Sequence, residues 1–527
     1  MAQNASLPEL GQLHDHRDNP EPPSMTISVP GLRKTEKAKF GEVFTPPAII
    51  NAMLDELPEH LWSDPTKKWL DPAAGFGNFP MVVYQRLMTG LATHYPDSAE
   101  RSRHIIKRML YMVEYNPASC TRIREIFGST VNLHHGDFLD PHLRFLDGTT
   151  DQFDIIMGNP PFNAEQTHEG KPGGGANLWP GFVEKSLVGS LLKENAYLLF
   201  VHPALWRKPP SDRAKTLFDV MVHDNHMLYL EIHSKLDGKR DFGVQTRYDF
   251  YLIQKKRPIP HSDFTRVKDQ LGGEEQKIYL SEWRFLPNHS FELIQPLLSS
   301  KTQEDYVIFS RGQYGSDKDW VREMKEYGYD HPVVHSTPMK GHRIYWSSKI
   351  NDVCKDCKNM FGVPKVIFGE SGINNAICDI RGEFGMTQCA IGLKIPDPVE
   401  TEGPMMKKVL ESAEFNRILD AMSFSNFRID WRMFLFIRPD FYRDVMVQDS
   451  GTSRRPRDVD DAVVPTTTRF INVVTAKKPN TGSLHPTNPK GGRTRRRITI
   501  RRKHKQQCGI QEKSISNTHN YLLTCLL

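Results

Sequence analysis

The chain has 527 residues, 38% of them hydrophobic and 25% charged, with a formal net charge of +6. That is enough for two or three domains with a sizeable core in at least one. The charge permits a polyanionic partner without demanding one. Seven cysteines in this length form no disulfide framework and point to a reducing compartment. No apolar run reaches the ~20 residues of a membrane span.

The first segment, "MAQNASLPELGQLHDHRDNPEPP", lacks the apolar core of a signal peptide, and residues 1–35 are read as a disordered leader. Patterning begins at "KAKFGEVFTPPAIINAMLDELP". Thr45 reads as an N-cap with Pro46 at the first helical position. Ile49, Ile50, Met53, Leu54 and Leu57 then share one helical face, and Pro58 stops the helix. Strand candidates follow at 68–70, 110–113, 131–134, 153–157, 196–201, 227–232 and 248–253, with helical segments between most of them. Seven such strands predict a mostly parallel α/β sheet over residues 36–258. The last two are close enough in sequence for an antiparallel edge. "QKKRPIPHSD" at 254–263 breaks the rhythm. Residues 259–447 read as a mixed α/β region with short strands at 365–368 and 376–380. Residues 448–527, with "GGRTRRRITIRRKHK", are basic and nearly free of core residues, and are expected to be disordered.

Open α/β sheets bind ligands at the carboxyl ends of their strands. The first strand ends in "DPAAGFGNF", where Gly75 and Gly77 allow a tight turn and close approach of a ligand. A plain strand-to-helix turn is the alternative for a lone Gly-x-Gly. The second strand ends in Glu114 and the third in Asp137 of "GDFLD". Three acids at successive strand ends make a poor phosphate site. They suit a ligand with hydroxyls, an amine and positive charge, such as a nucleoside carrying an ammonium and a sulfonium. Asp71 to Glu114 is longer than the ~20-residue interval of a dinucleotide unit. An extra helix at 99–108 accounts for the difference and argues against a nicotinamide enzyme.

"FTPP", "DPAAGFGNF", "GDFLD" and "NPPF", in this order, resemble the amino-methyltransferases of restriction-modification systems that modify adenine N6 in DNA, the Eco57I-like branch above all. The resemblance covers residues 38–256 by motif and extends loosely to about 440. It implies a Rossmann-like methyltransferase sheet and S-adenosylmethionine as cofactor. Asp71, Ala73, Gly75 and Gly77 match the segment at the methionine end. Glu114 matches the acid that receives the ribose hydroxyls. Asp137 matches the acid that accepts from the cofactor's adenine amine, with Phe138 beside it. Phe44 and Thr45 match the opening segment, which closes over the cofactor.

The "NPPF" at 159–162 has a chemical reading of its own. An exocyclic amine on a base is a poor nucleophile, because its lone pair is delocalised into the ring. Two fixed acceptors aimed at its N–H bonds favour the electron-rich tetrahedral nitrogen that attacks a methyl sulfonium. The Asn159 side-chain oxygen and the Pro160 carbonyl supply them, and Pro160 and Pro161 restrict the backbone. Phe162 offers a stacking face for an extruded base. The segment holds no cysteine, which argues against a cytosine-C5 enzyme and its thiol nucleophile. Asn rather than Ser in first place favours adenine N6 over cytosine N4. The glycine-rich stretch after Phe162 reads as a lid over the base or as a plain surface loop. Phe242 and Tyr248 read as base contacts or as core.

The region after 259 offers Lys340, Arg343 and Tyr345, basic and aromatic residues interleaved in a way that suits DNA contacts, or equally a solvated face. Cys354 and Cys357 form one Cys-x-x-Cys pair, and Cys378 with Cys389 is a poor second, so no metal is expected. The tail reads as a phosphate-binding segment, a nuclear-import-like patch or the product of a shifted reading frame. The reading as a whole is an intracellular DNA adenine-N6 methyltransferase. Its partners would be double-stranded DNA and, in a restriction-modification system, a separate restriction endonuclease, with no membrane. The cytoplasm is its place in a bacterium, while the basic tail also suits a nucleus or a viral factory. The competing readings are a methyltransferase of another amine, in RNA or on a protein glutamine, and a catalytically inactive DNA-binding subunit.

Overall fold

A computed structural model describes residues 44–143, 145, 152–162, 177–210, 216–309, 312–351, 360–424 and 428–445. The leader, the glycine-rich stretch after Phe162, Cys354, Cys357 and the basic tail lie outside the described residues.

The first helix, α1 (Pro47–Asp55), starts one residue later than its sequence suggests: Pro46 is the N-cap and Pro47 the first helical residue. Proline at the first helical position costs nothing, because that N–H has no helical partner. The expected apolar face is buried through Ile50, Met53, Leu54 and Leu57. Thr45 is no cap and is 5% exposed; its hydroxyl is used elsewhere.

All seven expected strands are present: β1 (Trp69–Asp71), β2 (Leu110–Glu114), β3 (Asn132–His135), β4 (Phe153–Gly158), β5 (Leu192–Pro203), β6 (His226–His233) and β7 (Tyr248–Gln254). Two more, β8 (Thr265–Lys268) and β9 (Gln276–Ile278), extend the sheet to nine strands among the described residues, in the order β3-β2-β1-β4-β5-β7-β6-β8-β9. Strands β1 to β5 pair in parallel. β7 pairs antiparallel with both β5 and β6, between which it lies, and the edge strand β9 pairs antiparallel with β8.

The sequence reads as nearly continuous apolar runs here because both faces are covered. Along β4, Ile155 belongs to one hydrophobic cluster and Ile156 to the other, as the period of two in a strand requires. One face carries α1, α2 (Asn78–Gly90) and α4 (Pro117–Phe127), with α3 (Ser98–His104) continuing into a π turn at Ile105–Met109. That last pair is the extra helix between Asp71 and Glu114. The other face carries α5 (Trp179–Leu187) and continues without a break into the residues after 280, through Trp283, Phe285 and Phe434.

The later residues form two four-stranded sheets among those described. One runs β10 (Val307–Ile308), β17 (Ala390–Lys394), β14 (Lys365–Gly369), β15 (Gly372–Asp379). The other runs β11 (Val321–Arg322), β13 (Arg343–Ser347), β12 (His331–Ser336), β16 (Gly385–Met386). A buried ion pair ties these regions to the first sheet. Arg207, fully buried, bonds Asp249 on β7 through Nε at 2.7 Å and Nη2 at 3.1 Å, and donates to Pro287 O at 2.7 Å and Asn288 Oδ1 at 3.0 Å. Asn288 in turn donates to Ser423 O at 2.7 Å. Every nitrogen of that guanidinium is satisfied, so the charge is tolerated in the core. Among the described residues no helix is long and apolar enough to cross a membrane.

Candidate active site

The strand order reverses between β1 and β4. The chain steps outward through β2 and β3 on one side, then returns to continue through β5 on the other. A crevice opens at such a switch point, at the carboxyl ends of the two central strands. Asp71 ends β1 and Gly158 ends β4, so Asp71 and Asn159 flank that crevice.

Asp71 is 1% exposed, and its Oδ1 accepts from Ala73 N at 3.1 Å. Burial, with Glu114 nearby adding to it, pushes its carboxyl up to about 8. A carboxyl in that state gains from any cation placed beside it. The next strand supports the turn that follows. Glu114 accepts from Gly75 N through Oε2 at 2.7 Å and from Asn116 N through Oε1 at 2.7 Å, while Ala74 N donates to Val113 O at 3.0 Å. Gly75 and Gly77 adopt left-handed φ values of +53° and +82°. A Cβ at Gly75 would meet nothing within 4 Å, so the turn faces open space.

Gly158 is a position that the sequence reading did not single out. Its φ is +148°, and a Cβ there would lie 2.7 Å from Asp71 Oδ1. Glycine is therefore required for the catalytic strand to lie against the Asp71 carboxyl. The signal was present in the sequence as the residue before "NPPF".

Asn159 donates from Nδ2 to Thr45 Oγ1 at 3.0 Å. The nitrogen end of the amide is thus committed to Thr45, and Oδ1 is its acceptor end. Pro160 is buried and Pro161 half-buried. Phe162 is 8% exposed, with its ring edge-on to Phe242 at 6.4 Å. Receiving a base on that ring requires its neighbours to open. Phe242 meets Tyr248 at 4.8 Å, and Tyr248 stacks on His233 at 4.2 Å. Tyr248 is fully buried and donates to Asp241 Oδ2 at 2.7 Å, so of its two readings it takes core.

Asp137 is exposed at the turn after β3, with Oδ1 accepting from Leu139 N at 2.8 Å. Phe138 does not lie open beside it. The ring is 2% exposed and stacks on Phe182 at 4.9 Å, with Lys185 Nζ over it at 5.0 Å. As placed, the Phe138 ring fills the space under α5. Phe44 is half-buried at the start of the described residues.

The second cluster of expected site residues divides. Lys340 and Arg343 are exposed. Tyr345 is 3% exposed, packs with Val333 and Val334 in the core of its region, stacks on His335 at 4.4 Å and donates to Glu323 at 3.1 Å. Arg343 covers that ring at 5.4 Å and pairs with Glu323 at 3.5 Å. Other cationic groups near aromatic rings at this surface include Lys325 over Trp346 at 4.7 Å and Lys349 over Trp320 at 4.6 Å.

Among the described residues, His233, Asp237 and Asp241 bring potential metal-ligand atoms within 4.8 Å of one another. Local bonds engage the two carboxylates. Asp237 closes a capping box with Ser234 at the start of α6 (Lys235–Phe242), and Asp241 takes Arg240 and the Tyr248 hydroxyl.

Residues 97–233 match the family profile described as Eco57I restriction-modification methylase, which bears out the resemblance carried by the motifs. The matched span contains Glu114, Asp137 and 159–162; Thr45 and the turn after Asp71 lie outside it. A curated protein of Mycoplasma pneumoniae, named as an uncharacterised adenine-specific methylase, is 24% identical over 248 residues, 33% of this chain and 58% of that protein. The chain thus spans little more than half the length of that relative. Among solved structures, a type IIL restriction-modification enzyme, MmeI, in complex with DNA is similar at 10% identity and a TM-score of 0.43, over 76% of this chain and 68% of that one. A class I S-adenosylmethionine-dependent methyltransferase of Listeria monocytogenes is similar at 15% identity and a TM-score of 0.28, over 43% of this chain and 65% of that one.

Proposed function

We propose that this chain is an S-adenosylmethionine-dependent DNA methyltransferase acting on the N6 amine of an extruded adenine. The observation that carries the reading is the pairing at the switch point: a buried carboxyl on one central strand and an amide with its oxygen as acceptor end on the next.

The donor set fits the cofactor. Asp71, whose carboxyl burial pushes up, would ionise against a ligand's ammonium. The open turn at Ala73, Gly75 and Gly77 admits the methionine portion close to the backbone. Glu114 would accept from the ribose hydroxyls, and Asp137 from the adenine amine. When bound, the cofactor would supply an electrophilic methyl group, on a sulfonium, for transfer to the amine nitrogen.

The chain's own residues do the rest. Asn159 Oδ1 and the Pro160 carbonyl accept from the two N–H bonds of the exocyclic amine and favour the electron-rich nitrogen. Pro160 and Pro161 keep both acceptors fixed, and Phe162 stacks the base. Phe44 closes over the cofactor. We read residues 36–258 as the catalytic part and 259–447 as target recognition, with double-stranded DNA as partner, Lys340 and Arg343 on its phosphates, and a separate restriction endonuclease as companion.

The test is expression of the full chain in a host free of DNA methylation, followed by sequencing that maps modified bases. N6-methyladenine at one sequence motif, absent with Asn159→Ala, supports the reading. A folded, cofactor-binding protein that leaves host DNA unmarked, or marks RNA or protein instead, overturns it.

A further inference from the structure

The chain holds two segments of the form X-Pro-Pro at this site, "TPP" at 45–47 and "NPP" at 159–161. They meet through one hydrogen bond, Asn159 Nδ2 donating to Thr45 Oγ1 at 3.0 Å across 114 residues of sequence. Thr45 is 5% exposed, and its Oγ1 caps no helix: Pro46 is the N-cap of α1, without a side-chain cap.

We infer that Thr45 is the positioning residue that sets the rotamer and the facing of the catalytic amide, rather than a residue for closing over the cofactor. The inference deepens the proposed function and rests on it. An asparagine amide has two ends of similar size and opposite polarity. Turned over, it would offer two N–H donors to an amine that needs an acceptor. Proline rings fix the backbone next to Asn159 but leave the side-chain torsions open. The terminal torsion of asparagine is broad and weakly held on its own. An acceptor outside the segment is needed to keep Nδ2 on one side and Oδ1 on the other. Thr45 meets that need: its branched Cβ restricts χ1, the residue before a proline is confined to extended backbone, and α1 anchors the segment through Ile50, Met53 and Leu54.

The experiment compares Thr45→Val, which keeps the shape and removes the acceptor, with Thr45→Ser, which keeps the hydroxyl. Each is made in the full chain and in the Asn159→Ala background. Single-turnover methyl transfer and calorimetric affinity for the cofactor are measured on all of them. Thr45→Val should lower the transfer rate roughly tenfold or more and leave cofactor affinity within about twofold, while Thr45→Ser recovers most of the rate. In the Asn159→Ala background, Thr45→Val should add nothing, because the group it positions is gone. A readout independent of activity is the hydrogen exchange of the Asn159 side-chain amide, assigned by nuclear magnetic resonance against Asn159→Asp. It should be slow in the wild type and in Thr45→Ser, and fast in Thr45→Val. Full rate in Thr45→Val, additive losses in the double variant, or loss of cofactor affinity in place of rate overturns the inference. A wild type with a slow-exchanging amide and no methyl transfer overturns the proposed function instead, and leaves Thr45 holding an amide of another use.

Discussion

The parallel strand ends of the first sheet and the β12–β13 ladder of the later region treat their polar residues in opposite ways. At the ends of β1, β2 and β4, acids and amides distant in sequence are drawn together and partly buried: Asp71, Glu114 and Asn159 each bond across or along the crevice. On β13, residues two apart in sequence are separated by depth. Arg343 stays exposed and Tyr345 enters the core, although both lie on one face of the strand. The difference is one of topology. Parallel strands crossing over through helices bring their carboxyl ends to one edge whatever the loops contain. An antiparallel ladder gives no such convergence, and burial there depends on which part of the face is covered.

The most severe break in the convergent region is Asn159→Ala, which removes an acceptor from the reacting amine. Transfer should fall by ~10²–10³ with cofactor affinity nearly unchanged, as single-turnover assays and calorimetry would report.

Gly158→Ala comes next. Its Cβ would sit 2.7 Å from Asp71 Oδ1 in a backbone conformation that L side chains rarely adopt. A stability loss of about 1–3 kcal/mol is expected by denaturant titration, together with weakened cofactor binding as Asp71 is displaced.

A third prediction sharpens the role of Asp71. Its folded-state pKa of about 8 lies above the ordinary 3.8. The folded state therefore holds a proton that the unfolded state has lost over that interval. Its contribution to stability is present below about pH 4 and declines as pH rises towards about 8. Pairing with a cationic ligand reverses the preference, so cofactor binding at pH 7 should release close to one proton. Calorimetry in buffers of different ionisation enthalpy measures this, and Asp71→Asn should abolish it.

The smallest effects are expected on β13 and in the turn before it. Tyr345→Phe removes one bond to Glu323 and should cost about 1 kcal/mol or less, with the methylated motif unchanged. Lys340→Ala, an exposed phosphate contact in the proposal, should weaken DNA binding and lower the salt slope by ~1.

Much of the first sheet was legible because apolar runs and turn residues are local signals. The seven strands and the apolar face of α1 follow from local patterning, and the extra helix before β2 from the length of the Asp71–Glu114 interval. The addition of β8 and β9 was not legible: they are short, and what holds them is pairing to β6, a contact no window of sequence contains. The acids at the strand ends could be read from their order after each strand. What Thr45 does could not, since its segment reads locally as a helix cap and its partner lies 114 residues away. Phe138 was read from the resemblance and Tyr345 from its residue type; the burial of both rings was not legible, because an aromatic ring next to a polar turn is as useful to packing.

The most direct measurement is the structure of the full chain with cofactor and a DNA duplex carrying the target adenine. The account predicts the exocyclic nitrogen within about 2.7–3.2 Å of both Asn159 Oδ1 and the Pro160 carbonyl, with the cofactor's ammonium against Asp71 and the Asn159 nitrogen still on Thr45. An extruded base held at another strand end, or an amine that meets the nitrogen end of the Asn159 amide, would contradict it.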